Sequence, residues 1–186
     1  PLMNAVLYGV DTRAENEIRE LNEEVGEEKI LQNCGNALTS QSVGPKILWL
    51  KKNCPEIFKK AGKILSSTSF LVHKLTGESV IDHYTAANFT PLYDIKNRKW
   101  TDALTKNIIE IERLPKLMWT TEIAGYVSKA ASKETGLATG TPVTVGTIDA
   151  AAEAISVGVC SAGDMMMMYG STIFTIQVTN EKIIDG

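Results

Sequence analysis

Short apolar runs alternate along this chain with longer amphipathic stretches, a pattern typical of an α/β domain. The first run, Ala-Val-Leu-Tyr-Gly-Val at residues 5–10, predicts a buried strand that ends at Asp11. The charged stretch at residues 13–25 has the spacing of a helix. The chain therefore opens on a predicted strand, a loop and a helix.

Prolines mark the bounds of the next predicted helix. Pro45 suits the first turn of a helix, and Pro55 ends the pattern. The spacing turns Trp49 and Leu50 toward the core and predicts that the lysines of this helix face water.

Glycines close the predicted helices in the middle of the chain. Residues 69–75 have mixed apolar spacing and stop at Gly77, which is typical of a helix with a glycine C-cap. Residues 100–111 and 127–137 are two further amphipathic stretches, and Gly136 closes the second of them. We predict a helix in each of these three stretches.

The last part of the chain changes from helical to strand-like spacing. Residues 142–146 form a β-branched run that predicts a strand, and Asp149 then opens the alanine-rich stretch 150–157, which predicts a closely packed helix. Residues 164–169 and 172–179 predict two strands of a hairpin. The order strand, loop, acid and helix is typical of an active site in an α/β protein.

Composition narrows the class of protein. With 186 residues, 44% of them hydrophobic and 22% charged, the chain fits one soluble domain, or one domain with part of a second. Its 19 basic and 22 acidic residues leave no broad cationic surface, which argues against nucleic acid or an anionic membrane as a partner. No apolar run approaches the ~20 residues that span a bilayer, and the opening residues lack a signal-peptide pattern. We therefore expect a cytoplasmic protein.

The cysteines and histidines indicate neither a disulfide framework nor a metal site. Cys34, Cys54 and Cys160 are few, odd in number and without paired short spacing, so we expect reduced thiols. His73 and His83 lie far in sequence from any cluster of Cys, Asp or Glu. No metal-binding residue is predicted.

Asp149 is the strongest candidate for chemistry. It follows the carboxyl end of a predicted strand, where ligands gather in open α/β sheets, and it opens a helix whose dipole favours a negative charge. Such a carboxylate can accept a proton. The alternative is that Asp149 caps its helix.

One polar pair and one turn are weaker candidates for a binding site. Asp11 and Arg13 would point the same way from an extended chain and could together bind the hydroxyl groups of a polar ligand; the alternative is a surface ion pair. Gly170, Ser171 and Thr172 could present backbone N–H groups and hydroxyls to a phosphate, and the alternative is an ordinary hairpin turn.

Taken in order, these motifs resemble the FGGY family of carbohydrate kinases, which includes xylulose, gluconate and glycerol kinases. The likeness spans essentially the whole chain and depends on five motifs in register. The matching segments are Gly9-Val10-Asp11-Thr12-Arg13, Pro45-Lys46-Ile47-Leu48-Trp49, Thr76-Gly77-Glu78 with Asp82, Gly146-Thr147-Ile148-Asp149-Ala150-Ala151-Ala152, and Gly170-Ser171-Thr172.

The resemblance implies a ribonuclease-H-like fold in two lobes, as in actin-like ATPases. Residues 1–160 would be the sugar-binding lobe, and 161–186 would start the nucleotide-binding lobe with its first hairpin. Relatives have a phosphate loop upstream of the segment matching Pro1 and most of the second lobe beyond the segment matching Gly186. We therefore expect a lobe truncated at both ends, and no useful phosphorylation by residues 1–186 alone.

The resemblance also implies the chemistry. ATP with Mg²⁺ would phosphorylate a sugar hydroxyl, Asp149 would act as the general base, and the turn Gly170-Ser171-Thr172 would contact the nucleotide phosphates. Asp11 and Arg13 would contact the sugar. Glycerol kinases place a substrate-contacting Tyr where this chain has Gln41, so Gln41 is a further sugar-binding candidate.

Departures from the family pattern leave the sugar open. Gly9 stands where relatives usually have Trp, which removes an aromatic wall and admits a larger or more polar substrate. Xylulose and gluconate are both candidates, and a cationic Arg13 favours the acid. Two other functions remain as alternatives, namely a sugar-binding relative without catalysis and an actin-like ATPase that needs no sugar. The final hairpin would leave unpaired edges, from which we expect self-association as a homodimer.

Overall fold

The computed structural model describes residues 1–7, 9–170, 173–181 and 183. Helices dominate the first half of the chain, and strands enter from residue 80 onward. The α-helices are α1 (Glu15–Val25), α2 (Glu27–Cys34), α3 (Val43–Asn53), α4 (Pro55–Lys60), α5 (Ser67–Thr76), α6 (His83–Ala87), α7 (Lys129–Thr135) and α8 (Asp149–Ser156), and a short 3₁₀ helix covers Ile111–Arg113. The strands are β1 (Val80–Asp82), β2 (Tyr93–Asp94), β3 (Lys99–Trp100), β4 (Lys116–Met118), β5 (Ile123–Tyr126), β6 (Pro142–Thr144), β7 (Met165–Tyr169) and β8 (Ile173–Gln177).

The predicted helix ends that depend on capping are confirmed. Gly77 after α5 and Gly136 after α7 both adopt the left-handed conformation, and each donates its backbone N–H to a carbonyl of the last turn. At the other ends, the hydroxyls of Ser66 and Ser128 accept backbone N–H groups of the first turn. Local side-chain chemistry thus sets where these helices begin and end.

The strand predicted at residues 5–10 is wrong. Residues 5–7 and 9–10 form no ladder in the part of the chain that the structure describes, and Leu7 and Val10 are 60% and 81% exposed. A strand needs a neighbour for its backbone groups, and an apolar run does not supply one. The Leu7 carbonyl is satisfied by a side chain instead, as described below.

The helix predicted at residues 100–111 is also wrong. Trp100 belongs to β3, and the residues after it form turns. The hydroxyl of Thr101 accepts the N–H of Ala103, and that of Thr105 accepts the N–H of Asn107. Such local bonds compete with a helix for the same backbone groups, which the apolar spacing alone does not reveal.

The described strands pair two by two. β1 and β4 are parallel, with Val80 opposite Lys116 and Asp82 opposite Met118. The other pairs, β2 with β3, β5 with β6 and β7 with β8, are antiparallel. The parallel pair places Asp82 at the carboxyl end of β1, where α6 begins.

Three apolar clusters hold these elements together. The largest joins α1 to α4 with the segment around β1, β2 and the 3₁₀ helix, and it includes Leu21, Ile30 and Phe89. A second cluster of Val72, Val80 and Val145 packs α5, β1 and the end of β6. A third joins α8 to the final hairpin. Its buried members are Ala154, Val159 and Met166.

None of the helices among the described residues is long and apolar enough to cross a membrane.

Candidate functional site

Asp149 is the first residue of α8 and lies beyond the carboxyl end of β6, as the sequence predicts. The N-cap of the helix is Ile148, so Asp149 is not the N-cap. Its Oδ1 accepts the N–H of Ala150 at 2.9 Å, and the residue is exposed. The carboxylate is thus accessible at the positive end of a helix dipole, a position that suits a proton acceptor.

The loop 145–148 connects β6 to α8 and is hydrogen-bonded to two other elements, β1 and α5. The hydroxyl of Thr147 donates to Oδ2 of Asp82 at 2.9 Å, and the hydroxyl of Thr68 donates to the carbonyl of Thr147 at 3.2 Å. Val145 is buried in the second apolar cluster. Asp149 therefore extends from a loop that is fixed to β1 and α5.

Tyr84 lies in the neighbourhood of Asp149. Its ring is half-exposed, and burial of the hydroxyl, followed by the negative charges of Asp82 and Asp149, raises the pKa of Tyr84. The negative charge of Asp149 therefore acts on the hydroxyl of Tyr84, in the first turn of α6.

Asp11 and Arg13 form an ion pair with each other. Arg13 Nε donates to both oxygens of Asp11, at 2.8 and 2.9 Å, and a second guanidinium nitrogen lies 2.7 Å from Asp11 Oδ2. The guanidinium also stacks over Trp49, with Cζ 4.8 Å from the ring centroid. This bidentate geometry and the ring fix both side chains in place.

This pair makes stability depend on pH. The hydrogen bond from Arg13 lowers the pKa of Asp11, and the charges of Arg13 and Lys46 lower it further. A carboxyl group whose pKa is lowered by folding contributes stability above its unfolded pKa, about 3.9, and loses that contribution as the pH falls through the folded value. We expect Asp11→Asn to be less stable than the wild type above about pH 4, with a difference that shrinks at lower pH.

Circular dichroism of thermal unfolding at a series of acidic and neutral pH values measures that difference. The exposed residue Asp102 provides a matched control, since Asp102→Asn removes a charge without breaking the pair. A difference in thermal stability between Asp11→Asn and the wild type that stays constant through the acid range would show that the ion pair of Asp11 and Arg13 does not cause it.

Lys46 departs from the prediction that the lysines of α3 face water. The residue is 8% exposed, and its Nζ donates to the carbonyl of Leu7 at 2.7 Å. Burial lowers the pKa of Lys46. The physical reason is the helical period, since position 46 lies on the same inward stripe as Leu50. This hydrogen bond of Lys46 therefore holds the segment before Asp11 against α3.

A cavity of about 330 Å³ lies between the start of α1 and the segment before α3. We call it the Asp11 cavity. Carboxylate, ammonium and hydroxyl groups on its wall are suited to a ligand with several hydroxyls. Its polar lining comes from Asp11, Thr12, Glu15, Thr39, Ser40, Ser42 and Lys46.

Gln41 lies against Gly9. Gly9 has a φ of +60°, and a Cβ built on it would be 3.6 Å from Gln41 Cγ and 3.8 Å from Nε2. The structure therefore brings Gln41 next to the segment that carries Asp11 and Arg13. Asp149 is not among the residues that line the Asp11 cavity.

The two groups of candidate residues are joined through α3 and α6. The N–H of Val43 donates to the carbonyl of Asn88 at 2.8 Å, and the backbone of Gly44 packs against Thr90. Because Asp82, the N-cap of α6, binds Thr147, one short helix links the surroundings of Asp11 to those of Asp149.

The predicted phosphate-binding turn is described only in part. Gly170 is exposed directly after β7, whereas Ser171 and Thr172 lie outside the described residues. Among the described residues, no group of three or more His, Cys, Asp or Glu could hold a metal ion.

The sequence analysis missed the contacts of Lys46, Asp82 and Thr147. The helical period of α3 could have identified Lys46 as inward-facing. Asp82 stands before a helix, which is a signal for an N-cap, but its bond to Thr147 joins positions 65 apart in the chain. No local pattern indicates that contact.

The chain was compared with known proteins. The model of the FGGY family of carbohydrate kinases, N-terminal domain, matches residues 1–156. An autoinducer-2 kinase of Yersinia pestis bv. Antiqua (strain Angola) is 32% identical over 181 residues, which cover 95% of this chain and 34% of the relative. The chain thus spans about a third of the length of the curated relatives it matches.

Solved structures of carbohydrate kinases superimpose on this chain. The xylulose kinase from Rhodospirillum rubrum superimposes with a TM-score of 0.81 at 30% identity, covering 87% of this chain and 33% of that one. Plasmodium falciparum glycerol kinase with ADP superimposes with a TM-score of 0.79 at 25% identity, covering 89% and 33%. The actin-like fold expected from the sequence is therefore confirmed for the part that this chain covers.

Proposed function

Because this chain belongs to the FGGY family of carbohydrate kinases, we propose that the protein carrying it transfers the γ-phosphate of ATP to a hydroxyl of a small sugar or sugar acid. The observation that carries the proposal is the position of Asp149, exposed at the start of α8 and held by the fixed loop that follows β6. General-base assistance from such a carboxylate is worth about 10² to 10⁴ in rate.

In the proposed reaction Asp149 accepts the proton of the sugar hydroxyl. The hydroxyl oxygen forms a bond to the γ-phosphorus while the bond from that phosphorus to the bridging oxygen breaks, and ADP leaves with the electron pair. Mg²⁺ would offset the charge of the phosphates; it commonly binds through one or two carboxylates together with phosphates and water, so a full cluster of protein ligands is not required. The contacts of Gly170, Ser171 and Thr172 with phosphate stay a prediction.

We propose that the sugar contacts Asp11, Arg13 and Gln41. Supporting this, Asp11 lines a cavity with hydroxyl, ammonium and carboxylate groups, Arg13 is hydrogen-bonded to Asp11, and Gln41 lies against the nearby Gly9. The guanidinium of Arg13 already binds Asp11 and covers Trp49, so a substrate carboxylate would share it with Asp11. Xylulose and gluconate remain the proposed substrates, and the similarity to an autoinducer-2 kinase adds that compound to the candidates.

We further propose that residues 1–160 form the sugar-binding lobe and residues 161–186 begin the nucleotide-binding lobe. The match of the N-terminal domain model to residues 1–156 supports this division. Across this division, Ala154 and Val159 pack with Met166, so α8 and the hairpin share a small core. Self-association through the hairpin edges stays a prediction.

A substrate screen tests the proposed function. The whole polypeptide that the gene encodes is incubated with ATP and Mg²⁺ and with a panel of pentuloses, hexuloses, polyols, aldonates and autoinducer-2, and ADP release is followed by a coupled assay. We expect turnover that depends on one class of the panel, with kcat in the range of about 1 to 100 s⁻¹ usual for kinases.

The other outcomes of the screen contradict the proposal in different ways. Calorimetric binding of a sugar without ADP release would indicate a sugar-binding protein without catalysis. ADP release that does not depend on any sugar would indicate an ATPase.

A further inference from the structure

Asp82 is a buried carboxylate to which the proposed function assigns no part. It is 2% exposed and lies at the carboxyl end of β1, in the parallel pair with β4. Its Oδ2 accepts three hydrogen bonds, from the N–H groups of Tyr84 at 3.1 Å and Thr85 at 3.2 Å and from the hydroxyl of Thr147 at 2.9 Å. Two of these bonds cap α6, and the third reaches the loop before Asp149.

Thr147 is bound through both its side chain and its backbone. Its hydroxyl donates to Asp82 of β1, and its carbonyl accepts from Thr68 of α5. These partners lie 65 and 79 positions away in sequence. Thr147 therefore fastens the loop 145–148 to two elements that already pack on each other through Val72 and Val80.

The neighbouring glycine allows the loop to make these contacts. Gly146 has a φ of +72°, a left-handed conformation that a side chain would strain. A Cβ on Gly146 would lie 3.0 Å from Cγ2 of Thr68. The loop thus approaches α5 closely, and its path is determined by this approach together with the two hydrogen bonds of Thr147.

Asp149 itself has few contacts that could orient it. It is exposed, and within the described part of the chain its carboxylate accepts one hydrogen bond, from the adjacent N–H of Ala150. Its direction therefore follows from the path of the loop. A hydrogen bond to a buried carboxylate is stronger than one between neutral groups. The bond from Thr147 to Asp82 therefore restrains the loop more strongly than the bond from Thr68 to Thr147.

We propose that Asp82 and Thr147 are positioning residues, which orient the carboxylate of Asp149 toward the sugar hydroxyl. The inference rests on the proposed role of Asp149 as the general base. It assigns to the Asp82 side chain two tasks at once: it caps α6, and it fixes the loop that carries the base. A misplacement of about 1 Å in such a group can cost 10²-fold in rate.

The test is a double-mutant cycle in the whole polypeptide that the gene encodes. Thr147→Val keeps the shape of the side chain and removes the hydroxyl, whereas Thr147→Ser keeps the hydroxyl. We expect Thr147→Val to lower kcat by about 10- to 100-fold with KM for the sugar within about twofold, and Thr147→Ser to restore most of kcat. In an Asp149→Asn background, Thr147→Val should lower kcat no further, because the group that it positions is already gone.

The control is Thr144→Val, which removes an exposed hydroxyl from β6 and should leave kcat unchanged. Wild-type kcat in Thr147→Val, or a loss that is the same in the presence and absence of the Asp149 carboxylate, would overturn the inference. Should Thr147→Val fail to fold by circular dichroism, the cycle is run with Asp82→Asn, whose amide oxygen still caps α6 but, being neutral, binds the Thr147 hydroxyl less strongly, so a smaller loss of kcat that again disappears in the Asp149→Asn background is expected.

The cycle also separates the two proposals from each other. Full activity of Asp149→Asn alone would reject the general base and with it the proposed mechanism. Loss of activity in Asp149→Asn, together with an additive or absent effect of Thr147→Val, would reject the positioning residues and leave the base in place.

Discussion

Replacing Asp149 with Asn lowers the kcat of sugar phosphorylation by about 10² to 10⁴-fold. Asn has nearly the same shape as Asp and can still accept the N–H of Ala150, so the start of α8 keeps its structure. What is lost is the ability to take the proton of the attacking hydroxyl. Because sugar binding depends on other groups, we expect KM and the calorimetric affinity for the sugar to change by less than about threefold.

The same helix offers a matched control. Glu153 is an exposed carboxylate one turn after Asp149, and Glu153→Gln should retain the kcat of the wild type. Both variants are assayed by ADP release with saturating sugar and ATP, and their folding is compared by circular dichroism. A kcat of Asp149→Asn within a few-fold of the wild type, or an equal loss in Glu153→Gln, would show that the charge of Asp149 is not used as a base.

Elements that depend on local chemistry could be predicted from the sequence. The helices closed by Gly77 and Gly136 were predictable because a left-handed glycine and the end of an apolar period coincide. The strand–loop–acid–helix order around Asp149 was predictable for the same reason, since each part has its own local signal. The hairpin of β7 and β8 follows from alternation over short runs.

Elements whose backbone groups bind side chains could not be predicted. The run at residues 5–10 has the composition of a strand, but its carbonyl at Leu7 is bound by Lys46 and not by a neighbouring strand. The stretch after Trp100 has helical spacing, but hydroxyls of threonine compete for its N–H groups. In both cases a side chain settles what the backbone does.

Some features of the candidate site could likewise be predicted from the sequence, and others could not. Asp149, Asp11 and Arg13 stand out as polar residues after apolar runs, so their residue types and positions identify them. The bond between Thr147 and Asp82 joins two segments that no short motif contains, and only the packing of β1 against α5 and β6 brings them together. The candidate residues for the chemistry were therefore predictable, and the contact between Thr147 and Asp82 was not.

Gly44→Ala should destabilise the protein more than any other single methyl addition at a glycine described above, by about 1 to 3 kcal/mol or more. A Cβ at Gly44 would lie 2.3 Å from the carbonyl oxygen of Thr90 and 2.8 Å from Cδ of Pro91. The oxygen belongs to the backbone, so it cannot turn away as a flexible side chain could. The first turn of α3 must therefore move away from the segment after α6. That movement would also break the hydrogen bond from the N–H of Val43 to the carbonyl of Asn88.

The sign of this prediction is informative because helix propensity acts in the opposite direction. In an exposed helix, Ala in place of Gly stabilises by about 0.5 to 1 kcal/mol, so a loss of stability can come only from the contact with Thr90. Urea unfolding followed by circular dichroism measures the change, and the thermal midpoint should fall by about 2 to 4 °C for each kcal/mol. Gly62→Ala is the control, since a Cβ there would have no atom within 4 Å and should leave stability nearly unchanged. Equal stability of Gly44→Ala and Gly62→Ala would mean that α3 does not pack on residues 90–91, and the link between the surroundings of Asp11 and those of Asp149 would be lost with that contact.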